Sequence, residues 1–180
     1  MTNHKRCDAK TRENLANDQR PYAVILSCSD SRVPPEMIFD QGLGEIFVVR
    51  SAGHVVEPAL LGSIEFAVAV LGASLVMVLG HSKCGAVASA CDHPGEFHGN
   101  LGALLQVIVP AVAKIKDKAA GKSWEEKVAM AIDENIKLAA SSLTERSNIL
   151  KRMAEEGRIQ IIKARYDLDT GVVKVLKDDF

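Results

Sequence analysis

A cysteine, an aspartate and an arginine alternate at positions 28, 30 and 32 of Ser27-Cys28-Ser29-Asp30-Ser31-Arg32-Val33, and a histidine and a cysteine stand three positions apart in His81-Ser82-Lys83-Cys84-Gly85. Thiolate sulfur and imidazole nitrogen are ligands that zinc takes tetrahedrally, and three protein ligands leave a fourth position open for water. Cys28, His81 and Cys84 are therefore the candidate ligands of a Zn2+ ion. The sequence holds no second Cys-x-x-Cys or Cys-x-x-His pair to close the set, which favours a reactive centre over a structural one. Asp30 and Arg32 admit two arrangements. If the planar guanidinium grips the carboxylate, Asp30 is held off the metal and can accept a hydrogen bond from a water on zinc. If the grip breaks, Asp30 becomes the fourth ligand and blocks the site.

The elements that must carry these residues are legible nearby. Cys28 follows the apolar run Tyr22-Ala23-Val24-Ile25-Leu26, and His81 follows Ser74-Leu75-Val76-Met77-Val78-Leu79, both of the kind that makes buried strands, 22–27 and 74–79. A further strand is expected over 45–49. Between 49 and 74, Pro58 opens an amphipathic helix in which Leu60, Ile64, Ala67, Val68 and Leu71 recur at helical spacing. Strand, helix and strand in that succession imply a parallel crossover, and ligands of such sheets collect at the carboxyl ends of the strands. A helix over 84–91 would put Cys84 at its N-terminus, where the partial positive charge favours thiolate. Helices are expected over 101–118, from Trp124 to Leu143 and around Ile149 to Met153. Strands 158–163 and 172–176 then flank the turn signal Asp169-Thr170-Gly171, so the last should run antiparallel to its predecessor. The fold class is α/β, a mainly parallel central sheet of about four strands with a C-terminal antiparallel edge strand, flanked by helices.

With 180 residues and 47% hydrophobic composition, the chain reads as a single domain over 1–180. Residues 1–18 are polar and offer little beyond Leu15 and Ala16 to bury, so they read as an arm packing on a partner chain. A net charge of −1, with one Trp, two Tyr and five Phe, excludes a nucleic-acid surface. No apolar run reaches the ~18 residues needed to span a bilayer, so the expectation is a soluble, cytoplasmic protein. Two of the four cysteines lie in ligand context, and metal binding is a better reading of them than disulfides. Cys7 and Cys91 receive no role. His54, in Arg50-Ser51-Ala52-Gly53-His54, reads as an exposed loop histidine and only secondarily as a proton shuttle. His93 and His98 lack supporting ligands for a second metal.

Taken together, Cys28-Ser29-Asp30-Ser31-Arg32 and Gly80-His81-Ser82-Lys83-Cys84-Gly85 resemble the metal motifs of the β-class carbonic anhydrases. Weaker likeness lies in Phe47-Val48-Val49-Arg50, Ser63-Ile64-Glu65-Phe66-Ala67-Val68, Glu134-Asn135-Ile136 and Tyr166-Asp167. The resemblance covers roughly residues 19–176. It implies a zinc lyase that reversibly hydrates carbon dioxide to bicarbonate and a proton by attack of a zinc-bound hydroxide, working as a homodimer or a dimer of dimers. It also implies that Cys28, His81 and Cys84 hold the zinc, that Asp30 and Arg32 form the catalytic dyad, and that Gln19, Phe47, Phe66 and Gly85 bind substrate. Phe66 falls where plant-type members carry tyrosine. Members with a regulatory bicarbonate site resemble one another in a tryptophan three residues before the first ligand, where this chain has Ile25, so an open site is expected. A hydrolase of carbon disulfide or carbonyl sulfide on the same fold, and a noncatalytic zinc or redox-sensing module, are the rival readings.

Overall fold

A computed structural model describes residues 7–93 and 97–177. Five strands, β1 (Ala23–Cys28), β2 (Ile46–Ser51), β3 (Leu75–His81), β4 (Gln160–Tyr166) and β5 (Val173–Val175), form one sheet in the order β2-β1-β3-β4-β5. The first four are mutually parallel and β5 pairs antiparallel with β4, as the turn signal predicts. Every residue of β1 is buried, as a central parallel strand covered on both faces requires, which is why its sequence is a continuous apolar run and not an alternation.

The chain leaves β1 towards β2 on one side and later sends β3 to the other side, so the strand order reverses at β1. A crevice opens at the carboxyl ends of strands at such a reversal. Both β1 and β3 run further than their apolar residues suggest, through Cys28 and His81 themselves. The ligand-type residues are thus the last rungs of paired strands and not members of mobile loops.

The helices are α1 (Ala9–Asn14), α2 (Pro35–Ile38), α3 (Pro58–Ala69), α4 (Gly85–Asp92), α5 (Gly99–Gln106), α6 (Val109–Ile115), α7 (Trp124–Arg146) and α8 (Asn148–Glu155), with a 3-10 turn at Ala52–His54. The continuous helix expected over 101–118 is two helices. Pro110 lacks an amide hydrogen and its ring would clash with the carbonyl of Gln106, so the first helix stops and α6 restarts with the proline in its first turn. The helix α7 begins at a capping box in which Ser123 accepts from the Glu126 amide and the Glu126 carboxylate accepts from the Ser123 amide.

One face of the sheet carries the main core, where Val24, Leu26, Val76 and Val78 meet Ile64 and Val68 of α3, Val87 of α4, and Ile132, Ile136 and Leu143 of α7. The other face is thinner, with Ala23, Ile25, Val33, Met77, Leu79 and Ala164 covered by partly buried side chains such as Ile38, Phe39 and Tyr166. The arm helix α1 contributes no buried residue among those described, although Leu15 at its end lies against Gly44. No described helix is long and apolar enough to cross a membrane.

Candidate metal centre

β1 and β3 are hydrogen-bonded neighbours, so the end of one brings Cys28 beside the end of the other, His81. Three residues on, Cys84 stands at the N-cap of α4, after a tight turn in which Lys83 adopts a positive φ of 56°. The ligand atoms of Cys28, His81 and Cys84 all lie within 4.8 Å of one another, and all three residues are buried. No other grouping of this kind occurs among the described residues. None of the four cysteines is in a disulfide.

The donor atoms are set for a cation. His81 Nδ1 donates to the Ser82 carbonyl at 2.9 Å, which fixes the tautomer and leaves the Nε2 lone pair facing inward. That Nε2 is buried and has no hydrogen-bond partner, an arrangement a metal would satisfy. Cys28 Sγ accepts from the backbone N–H of Gly53 at 3.2 Å and of Asp30 at 3.4 Å. The Cys84 thiol beside Cys28 above all, with the two backbone amides, draws the Cys28 thiol down to about 3 against the opposing effect of burial. Cys84, which keeps the shared proton and is itself buried, is pushed far up. One thiolate is thus ready, and a bound dication would displace the second proton.

Asp30 is gripped as the first of its two arrangements requires. Arg32 Nε donates to Oδ1 at 2.9 Å, Nη2 to Oδ2 at 2.7 Å, and the Arg32 backbone N–H to Oδ1 at 3.0 Å. These bonds hold the carboxyl well below the usual carboxylate range, the Arg32 side chain contributing most. Asp30 Oδ2 nonetheless reaches to 3.8 Å from His81 Nε2, so the carboxylate faces the cluster without entering it. Arg32 Nη2 also approaches the Lys83 carbonyl at 3.4 Å and so touches the second ligand loop.

The sequence alone assigns no site role to Arg50 or Asn135, and to His54 only a secondary one as a proton shuttle. Arg50, on β2, donates from Nε to the Cys28 carbonyl at 3.0 Å and from Nη2 to the Asp30 carbonyl at 2.7 Å, pinning the loop that holds a ligand and the dyad. His54 is a correction: it is fully buried, not an exposed loop histidine. Burial lowers its pKa to about 4, so the imidazole is neutral. It meets Asn135, a buried amide in the otherwise apolar stripe of Ile132, Ile136 and Ala139 on α7. That one polar residue among apolar neighbours was the available signal.

Gly85 opens α4 directly after Cys84, and a Cβ there would meet open space. The other three residues expected to bind substrate are not at the cluster of their own chain. Phe47 pairs in register with Val24 while Ser51 pairs with Cys28, which separates Phe47 from the ligand end of the sheet by about 13 Å at ~3.3 Å per residue. Phe66 packs on Phe47, with ring centroids 6.5 Å apart. Gln19 lines a surface pocket with Arg12, Leu15, Gly44 and Leu71, ahead of the start of β1. The cause is the strand direction: parallel strands deliver Cys28 and His81 at their carboxyl ends and leave these three towards the amino ends.

Comparison with known proteins agrees with this architecture. A family model described as carbonic anhydrase matches residues 23–173. Carbonic anhydrase 2 of Mycobacterium tuberculosis is 41% identical over 170 residues, covering 93% of this chain and 79% of the relative. The solved b-carbonic anhydrase CafA of Aspergillus fumigatus is similar with a TM-score of 0.86 at 29% identity, covering 95% of this chain and 82% of that one. A tetrameric β-carbonic anhydrase of Sordaria macrospora gives a TM-score of 0.82 at 27% identity, over 91% and 84% of the two chains. A three-donor cluster at the reversal of a parallel sheet, and relatives alike over nearly the whole chain, lead to one assignment: this chain is a carbonic anhydrase of the β class.

Proposed function

We propose that the chain binds Zn2+ through Cys28, His81 and Cys84 and hydrates carbon dioxide reversibly to bicarbonate and a proton at that site. The observation that carries this reading is the convergence of three buried donors within 4.8 Å, with the Asp30 carboxylate held beside them by Arg32. Zinc held there would supply the Lewis acidity that makes water a nucleophile near neutral pH. Asp30, its oxygens anchored by Arg32 beside the three donors, would be the group to accept a hydrogen bond from a water at the site and to orient it. Arg50 fixes the backbone on which both Cys28 and Asp30 ride. A Cβ at Gly85 would meet nothing within 4 Å, and as the first residue of α4 its backbone N–H has no partner inside the helix and would be free to donate to an oxygen of bicarbonate. Two thiolates donate more charge than neutral imidazoles do, so with zinc bound the activating ionisation would lie above the value of about 7 found in three-histidine sites, and activity would climb on the alkaline side.

The substrate pocket requires a second copy of the chain. Gln19, Phe47 and Phe66 lie towards the opposite end of the sheet from Cys28, and Phe66 is 46% exposed despite its size. A homodimer in which the amino-end edge of one protomer faces the metal centre of its partner would bring these residues to the substrate and cover the exposed Phe66 ring. The arm around α1, with nothing buried of its own, would pack on the partner in the same assembly. A tetrameric relative is compatible with a dimer of such dimers. The chain acts as a single domain over 1–180.

Stopped-flow assays of the zinc-loaded protein with carbon dioxide, carbon disulfide and carbonyl sulfide test the substrate. Fast hydration of carbon dioxide with negligible sulfide release from the other two is the expected outcome. The reverse preference would move the reading to a sulfur-substrate hydrolase.

A further inference from the structure

Gly53 and His54 are consecutive residues in the left-handed region, at φ values of 67° and 47°. For glycine that conformation is free, whereas histidine adopts it only where the surroundings impose it. Here they do. A Cβ on Gly53 would stand 2.6 Å from Ile108 Cδ1, and one on Gly80 would stand 3.1 Å from His54 Cε1, so the turn is wedged between Ile108, at the N-cap of α6, and the end of β3. The product of this conformation is that the Gly53 N–H points at Cys28 Sγ, 3.2 Å away.

The other end of the same dipeptide is held by one side chain. Asn135 Nδ2 has two hydrogens; it donates to the Gly53 carbonyl at 2.9 Å and lies 3.0 Å from His54 Nε2, which in the neutral ring accepts the second. Asn135 is buried on the long helix α7, so the amide has a rigid mount. A stable turn alone does not call for an imidazole: an apolar side chain of similar size would fill the space without burying a ring nitrogen.

We propose that His54 and Asn135 are positioning residues of the metal centre: together they lock the Gly53 peptide so that its N–H remains bonded to the Cys28 sulfur and sets how strongly that sulfur binds the metal. This rests on Cys28 being a zinc ligand. Partners of metal ligands outside the coordination sphere typically matter by 10- to 100-fold in affinity, and an N–H donated to the sulfur favours and orients the thiolate that a metal requires over the thiol that competes with it.

His54→Leu and His54→Gln test the proposal. Both put an ordinary side chain at the same positive φ, so they share its strain, but only glutamine keeps an acceptor within reach of the Asn135 amide. The zinc affinity of each folded protein is measured by competition with a chelator, and the thiolate-to-metal charge-transfer band is read after cobalt substitution. His54→Leu should bind zinc about 10-fold or more weakly and shift the band, and His54→Gln should restore both towards the wild type. Equal affinities and superimposable bands in the two variants would overturn the proposal. Should His54→Leu not fold, the wild-type protein loaded with an NMR-active cadmium isotope decides the matter. A scalar coupling between the Gly53 amide proton and cadmium supports the bond, and its absence overturns the proposal. Cys28→Ser is the control for the site itself, since metal binding as tight as wild type in that variant would refute the ligand assignment and the inference with it.

Discussion

Asp30 is joined to Arg32 by three hydrogen bonds and touches no ligand atom, so its replacement separates holding a metal from using it. In Asp30→Asn zinc content should stay at the wild-type level while carbon dioxide hydration falls by about a hundredfold or more, the usual scale for losing a group that handles a reacting proton. Stopped flow and metal analysis on one preparation check both, and full activity would remove Asp30 from the mechanism. His54 gives a second prediction at this scale. Its pKa is 6.5 in a solvated chain and about 4 in the buried site, so between those values the unfolded chain binds a proton that the folded chain refuses. Stability should therefore fall with decreasing pH across that window, by up to about 1.4 kcal/mol per pH unit from this residue. Denaturant titrations of wild type and His54→Gln between neutral and mildly acid pH should differ in that slope, and parallel curves would contradict the burial argument. Cys28, Asp30, Arg32, His81 and Cys84 were legible in the sequence because short-range spacing places them in two compact motifs. His54 and Asn135, 81 positions apart, were not, because only tertiary packing joins them.

The elements set how firmly the site is held. β1 and β3 end on their ligand residues, so the first two donors inherit the rigidity of a hydrogen-bonded ladder. Gly53 has a conformation and a neighbour that exclude a side chain, with a Cβ only 2.6 Å from Ile108. Gly53→Ala should destabilise the protein by roughly 1–3 kcal/mol, read as a lowered denaturation midpoint. An unchanged midpoint would mean the turn is softer than its packing indicates. The α7 capping box provides a contrast far from the metal. Ser123→Ala should cost about 1 kcal/mol of stability and leave hydration kinetics unaltered. The strands and the last antiparallel turn were readable from apolar runs and from Asp169-Thr170-Gly171. The break between α5 and α6 was missed because the apolar spacing continues across Pro110, and the proline's clash with the preceding turn overrides that periodicity.

The molecule as a whole presents its candidate metal centre at one end of a parallel sheet and Gln19, Phe47 and Phe66, the proposed substrate residues, towards the other. The sequence carried the identities of Gln19, Phe47 and Phe66 but not their distance from Cys28, which only strand direction and register define. If a partner chain supplies them, Phe66→Asp should shift the assembly towards monomer in sedimentation and depress hydration while leaving zinc bound. A monomeric variant with full activity would refute the shared site. The most direct test of the central claim is a zinc titration of metal-free wild type and Cys28→Ser, with carbon dioxide hydration followed by stopped flow at each addition. Wild-type activity should rise in proportion to zinc, level off at stoichiometric metal and be greater at alkaline than at acid pH, with none gained by the variant. Hydration independent of zinc, or equal in Cys28→Ser, would contradict the account.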